Sequence, residues 1–248
     1  MLTSQTIFEV VKEVGVNLFA NMIWVLLGIC ITLLTKFFFS KRPAKRLWGL
    51  HNPKKLVICA ASTSQNTGKY IRYSTGIGQV RALTYITTSL NIAYKSIDSR
   101  KIYLANEDLR HYIENDIIIL GGLKNNKIAD LFLAKIKDLN IVSQSREGFI
   151  HWHKNDKVYK ASFDENVVTK DYGIICKISN PFCSNNETKL ILFAGCHTYG
   201  TLAAAKLFCE NLYKKIKVNK NKNVCILVAC DVINEYPVSI NIIDHVEF

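Results

Sequence analysis

Residues 14–35 read VGVNLFANMIWVLLGICITLLT, 22 positions without one charge. As an α-helix rising 1.5 Å per residue, this stretch spans roughly 33 Å, about the hydrocarbon thickness of a bilayer. Helices buried in soluble cores rarely run so long uncharged, so the first constraint on this chain is a membrane-spanning helix near its N-terminus. Phe37, Phe38 and Phe39 prolong the apolar run beyond Lys36, and Lys36, Lys41, Arg42, Lys45 and Arg46 crowd the C-terminal flank. The N-terminal flank has only Lys12, beside Glu9 and Glu13. The positive-inside rule then predicts a single-pass protein of the cell inner membrane, N-terminus outside and C-terminal bulk cytoplasmic. A cleaved signal peptide would show a basic start, a shorter apolar core and a small-residue cleavage site, and the sequence has none of these.

At 100° per residue, Asn17, Asn21, Gly28, Thr32 and Thr35 fall within roughly 60° of one another on this helix. Trp24 lies near the same stripe, which argues against a fully open pore lining. In lipid, a small or polar stripe packs against another helix through close approach and interhelical hydrogen bonds. With one span per chain, the expected partner is a second copy, so a homo-oligomer is expected. The bland alternative is a monomeric anchor whose Asn and Thr residues sit near the interfaces.

Beyond the span the pattern changes. The expected division is a tail and span over 1–40, a basic linker over 41–54 and an α/β domain over 55–248. Short apolar runs at 55–62 and 116–122 read as buried strands, each followed by a polar, glycine-bearing junction and then a helical period. FIHWHKNDKVYKASF reads as a hairpin turning at 154–157, and the last two apolar runs read as paired strands. Strands alternating with helices predict a Rossmann-like, three-layer α/β domain, and the hairpins make its sheet mixed. A Lys/Asn-rich stretch at 214–223 reads as a solvated loop.

In open α/β sheets, ligands bind beyond the carboxyl ends of the strands, where helix N-termini offer free N–H groups to anions. Three junctions are expected on that rim. The first holds Ser62, Thr75, Gly76 and Gly78, with Lys69, Arg72 and Arg81 adding positive charge. The second holds Gly121, Gly122, Asn125 and Asn126, and the third Gly195, His197, Thr198, Gly200 and Thr201. With 32 Lys and Arg against 20 Asp and Glu, the chain carries +12, which favours an anionic ligand. Arg81 stands where the dinucleotide fingerprint has its third glycine, and Gly68-Lys69 lacks the frame of a Walker loop, so neither an ordinary NAD fold nor a P-loop NTPase is supported.

Catalytic candidates are few. His197, at a predicted helix start, is a candidate neutral imidazole that donates to a phosphate or polarises a carbonyl, and Cys196 a candidate thiolate nucleophile, because helix N-termini lower thiol pKa values. No base or carboxylate is paired with either by a motif, and a small packing residue is the commoner fate of such a cysteine. His151 and His153 share a strand face but have no evident third ligand, so no metal and no resident cofactor are expected. Cys225 and Cys230 differ by an odd number within one strand and face opposite sides. The eight cysteines form no C-x-x-C pair, against a zinc ribbon or a secreted disulfide scaffold. No basic helix with interleaved aromatics is present, so specific DNA binding is not expected.

One span, a basic linker and a domain with three glycine-rich rim loops resemble the membrane effectors of bacterial antiviral signalling, in which a CARF- or SLOG-type domain senses a nucleotide-derived messenger. Gly200-Thr201 looks like part of the SLOG phosphate loop, whose further Gly and Glu this chain lacks. The resemblance implies a sensor that binds a nucleotide-like small molecule and reorganises oligomerised membrane helices. The competing readings are a membrane-tethered nucleotide or nucleoside hydrolase, or glycosyl-transferring enzyme, using the same pocket, and a plain anchor or scaffold.

Overall fold

The computed structural model describes residues 4–95, 97–137, 139–184, 187–210, 212, 216 and 222–248. Most of the Lys/Asn-rich stretch at 214–223 lies outside the described residues. The chain divides into two compact units, Met1–Pro43 and Ala44–Phe248.

The first unit is helical. Helix α1 (Ser4–Lys36) is followed by one π-helical turn, Phe37–Lys41, and by the start of α2 (Arg42–Trp48). Among the described residues, one helical stretch is long and apolar enough to cross a membrane, and none of its most apolar window is buried. Trp24 and Phe39 on it are 71% and 76% exposed. On the small and polar stripe, Thr32 donates its hydroxyl to Gly28 O (2.8 Å) and Thr35 to Thr32 O (2.9 Å). Both threonines thus satisfy their donors within their own helix, which leaves Asn17 and Asn21 as the amide-bearing positions of the stripe.

The second unit begins inside the segment expected to be a linker, and this expectation is corrected. The end of α2 is core: Leu47 and Trp48 are buried, Trp48 Nε1 donates to Ser89 Oγ (3.0 Å), and its ring packs edge-on against Phe208 at 4.8 Å. The buried ammonium of Lys177 donates to Leu47 O (2.7 Å), satisfying a carbonyl at the C-terminal end of α2. Burial, with Lys189 nearby, lowers the pKa of Lys177 to about 8.

Strand β1 (Val57–Ala60) leads to a hairpin of β2 (Thr63–Asn66) and β3 (Ile71–Ser74), then α3 (Ile77–Tyr94), β4 (Ile102–Leu104) and β5 (Ile117–Leu120). Helix α4 (Lys127–Lys137) and a small sheet of β6 (Val142–Gln144), β7 (Phe149–Trp152) and β8 (Lys157–Lys160) follow. The turn between β7 and β8 falls where the sequence predicts it. After β9 (Ser162–Asp164) come β10 (Val167–Ser179), β11 (Lys189–Gly195), α5 (Thr198–Glu210), β12 (Val224–Ile233) and β13 (Tyr236–Glu247).

The main sheet runs β13-β12-β10-β11-β5-β1-β4, with β9 added on β10. Strands β4, β1, β5 and β11 are parallel, and β10, β12 and β13 continue the sheet antiparallel. The fold is therefore α/β with a mixed sheet. Period-two alternation splits the core into two layers. Ile58, Ile118, Ile175, Phe193 and Ile226 face α3 and α5; Val57, Ile117, Ile119, Cys176 and Leu192 face α4, Ile150 and Trp152. As expected, Cys225 and Cys230 lie on opposite faces.

From β1 the chain passes through α3 to β4 on one side, then returns to β5 on the other. The carboxyl ends of β1 and β5 thus flank a topological switch, where such sheets open a crevice.

Candidate functional site

At that switch lies a cavity of about 490 Å³, within the roughly 300–1,000 Å³ usual for small-molecule sites. All three expected junctions border it. Ser62, Thr75 and Gly76 come from the first, Gly121, Gly122 and Asn125 from the second, and Gly195, His197, Thr198 and Thr201 from the third. Backbone bonds from Ala61 N to Leu120 O (2.8 Å) and Ser62 N to Asn125 O (2.9 Å), and the Thr75 hydroxyl on Ala61 O (2.8 Å), hold the first two junctions together.

The basic residues expected beside the first junction are not in the lining. Lys69 and Arg72 sit on the exposed β2–β3 hairpin, which the polar sequence concealed. Arg81 donates to Glu235 O (3.1 Å) and lies over the Tyr236 ring. Sequence neighbourhood placed these cations near Gly76, but a hairpin and one turn of α3 carry them away. Among the described residues, Lys124 and Glu147, both exposed, are the charged lining residues, one of each sign.

Three other expected contacts are structural. Asn126 is buried and caps α4: its Oδ1 accepts from Ile128 N (3.0 Å) and Ala129 N (3.1 Å), and its amide donates to Leu120 O (3.1 Å). A Cβ at Gly78 would overlap Thr198 Oγ1, and one at Gly200 would overlap Tyr172 O. These glycines let α3 and α5 approach their neighbours closely, the packing use of glycine rather than the ligand-cradling one.

The third junction contains an internal anion. Asp171 of β10 is fully buried, and its carboxylate accepts from Gly200 N (2.6 Å) and His197 N (3.2 Å) at the start of α5 and from Tyr172 N (2.8 Å). Burial raises its pKa to about 6, opposed by those backbone donors. Amides expected to face a ligand thus face Asp171, a residue no motif revealed.

The candidate thiolate is also corrected. Burial, reinforced by Asp171, pushes the Cys196 thiol up to about 12, and its Sγ contacts Tyr159 O. Cys196 is therefore a protonated packing residue. His197 is exposed, edge-on to Phe163 at 5.3 Å, with its pKa lowered by partial burial and by Lys124. His151 and His153 do lie together, rings 4.2 Å apart, but His151 pairs with Asp156 and His153 with Ser143. Among the described residues no cluster of three or more metal-ligating side chains occurs.

The lining includes Gln79, Gln144 and Tyr199, which the sequence reading did not single out. Among the described residues, the buried side-chain oxygens or nitrogens without a partner are Gln79 Oε1, Gln144 Oε1 and Thr198 Oγ1, and all three residues border this cavity. The glycines of the second junction make room for them. A Cβ at Gly122 would overlap the Gln144 amide, one at Gly121 would lie 3.2 Å from Gln79 Nε2, and Gly121 adopts φ +93°. Gly76 is the N-cap of α3 and offers no side-chain cap; Gln79 N closes back on Gly76 O (2.9 Å). All three unpartnered atoms have almost no exposed surface, so they are packed beside the cavity rather than open to it, Thr198 Oγ1 against Gly78 and Gln144 Oε1 against Gly122. Comparisons with models of known protein families, with curated proteins and with solved structures found no match.

Proposed function

We propose that this protein is a membrane-anchored sensor, with a Rossmann-like domain that binds a nucleotide-derived small molecule in the switch-point cavity. The observation that carries the reading is one cavity of about 490 Å³ at the strand ends, bordered by all three glycine-bearing junctions. The Lys124 ammonium supplies a place for an anionic group. Binding rather than turnover is favoured by the chemistry of the lining. The Cys196 thiol is protonated, and the Asp171 carboxylate is committed to backbone amides rather than to the His197 ring.

In this reading the N-terminal helix spans the membrane once, with the α/β domain on the basic, cytoplasmic side. Oligomerised spans would pass the binding event to the membrane, as the resemblance to nucleotide-sensing effectors implies. The experiment is mass spectrometry of small molecules that co-purify with the full chain in mild detergent, beside a Gly122→Ala variant. A nucleotide-derived compound present with the wild type and lost from a folded variant supports the reading. Absence of any such compound refutes it. Conversion of the compound by wild type but not by His197→Ala would establish the enzyme reading instead.

A further inference from the structure

We infer that a second cavity, beside the one at the switch point, receives phosphate oxygens, held by Lys124 and Lys127 and by the hydroxyls of Ser64 and Tyr73. The ligand class is then a nucleotide with linked phosphates, its neutral part in the main cavity. The inference deepens the sensor reading and rests on it for the choice of nucleotide probes.

The second cavity, of about 290 Å³, opens between the β2–β3 hairpin, the turn after β4 and the start of α4. Ser62, Lys124 and Asn125 border both cavities, so the two adjoin. The groups it offers are open to solvent and unspent. Ser64, Tyr73, Lys124 and Lys127 are exposed, and their side chains make no hydrogen bond or ion pair among the described residues. Ammonium groups donate only, and hydroxyls can donate, which suits the acceptor oxygens of a phosphate. Among the described residues no Asp or Glu lines this cavity. Glu107, next to the lining residue Asn106, directs its carboxylate at Leu104 N (2.7 Å).

The start of α4 supplies a separate electrostatic argument. A helix N-terminus carries partial positive charge, which favours acidic residues there and disfavours basic ones. Helix α4 opens on Lys127, three residues after Lys124, and the acid of its first turn is Asp130. Asp130 is paired with Arg146 (2.9 Å), so its charge is already matched. The amides of Ile128 and Ala129 are spent on Asn126 Oδ1, and that of Asp130 on Asn126 O. The helix therefore contributes field rather than hydrogen bonds. Two ammonium groups stand at its positive end with no carboxylate paired to them among the described residues, and a bound anion relieves their repulsion. Lys124 also acts on the main cavity, where its charge helps to lower the pKa of His197.

The test is calorimetry on the full chain in mild detergent with adenosine 5′-diphosphate, adenosine 5′-monophosphate and inorganic pyrophosphate. Wild type is compared with Lys127→Gln and with Lys135→Gln, which makes the same charge change on exposed α4 surface outside the cavity. Circular dichroism checks that both variants fold. Losing a charged hydrogen bond to phosphate is expected to weaken the diphosphate and pyrophosphate roughly 10-fold in Lys127→Gln. Lys135→Gln should stay within about twofold of wild type, because an exposed charge outside the cavity is screened. The monophosphate should bind more weakly than the diphosphate and lose less in Lys127→Gln. The diphosphate alone following this pattern upholds the inference, the nucleoside supplying the remaining affinity. Nucleotide binding unchanged in Lys127→Gln overturns the inference and leaves the nucleotide reading standing. Equal losses in both variants also overturn it, since they report net charge and no site. Pyrophosphate following the pattern while no nucleotide binds upholds the phosphate site, and the nucleotide reading falls. Binding of none of the three probes overturns both.

Discussion

Replacing Asp171 with Asn tests the energetics of the buried carboxylate at the start of α5. Its pKa rises from an ordinary 3.8 to about 6, because burial penalises the charge more than three backbone N–H groups stabilise it. The folded state therefore holds this proton more tightly than the unfolded chain. Its contribution is fully present below about pH 4 and is lost as pH rises through about 6. The size of the rise corresponds to roughly 3 kcal/mol. The neighbouring thiols of Cys196 and Cys230 are pushed up to about 12 and do not titrate in this window. Asn cannot ionise, so the stability of Asp171→Asn relative to wild type should improve by roughly 2–2.5 kcal/mol between pH 4 and pH 7. Urea unfolding of the full chain in non-ionic detergent, followed by tryptophan fluorescence at pH 4, 5, 6 and 7, measures it. Other carboxylates titrate in both proteins and cancel in the difference. A constant difference across that range would refute the assigned burial cost, and a difference of opposite slope would mean that the helix amides outweigh desolvation.

Trp48→Ala should destabilise the α/β unit by about 3–5 kcal/mol, because it empties a fully buried site and orphans the Ser89 contact; a thermal melt within a degree of wild type would return residues 41–54 to a linker. At pH 8, Cys196 should resist iodoacetamide, since a thiol near 12 is ionised in only about one molecule in ten thousand; labelling within minutes, read by peptide mass spectrometry, would contradict its burial. Asn21→Leu combined with Gly28→Ile should convert an oligomer in detergent to monomer, at about 1 kcal/mol per lost interhelical bond, while ligand binding persists. An unchanged mass in light scattering would assign assembly to the α/β unit.

The parts of the fold legible in the sequence were those with a strong apolar signal. The runs that became β1, β5, β11 and β12 are buried almost throughout, and strands covered on both faces read as unbroken apolar stretches. The β7–β8 turn was legible because polar residues interrupt an aromatic, β-branched run. The β2–β3 hairpin was hidden because all of its strand residues but Ser74 are exposed, so no face alternates. The docking of α2 was hidden because Leu47 and Trp48 are two apolar residues inside a basic segment. In the site, glycine junctions marked the rim correctly, since strand-to-helix turns demand small residues. Gln79, Gln144 and Asp171 were missed because each is a single polar residue whose place beside the cavity or under α5 comes from burial, which has no local signature. Lys69, Arg72 and Arg81 misled for the converse reason: proximity along the chain was taken for proximity in space.

Strand β10 carries Asp171 and Lys177 six residues apart, and both side chains project from the face that packs on α3 and α5. The carboxylate meets the start of one helix and the ammonium the end of another, each sign matching the partial charge of the terminus it touches. A slip of one residue against β11 or β12 would turn both charges onto the opposite face, among Val57, Ile119 and Leu192. The two groups therefore add a polar constraint on the register of β10 to the apolar one: a mispaired strand would take the carboxylate from its amides and the ammonium from its carbonyl.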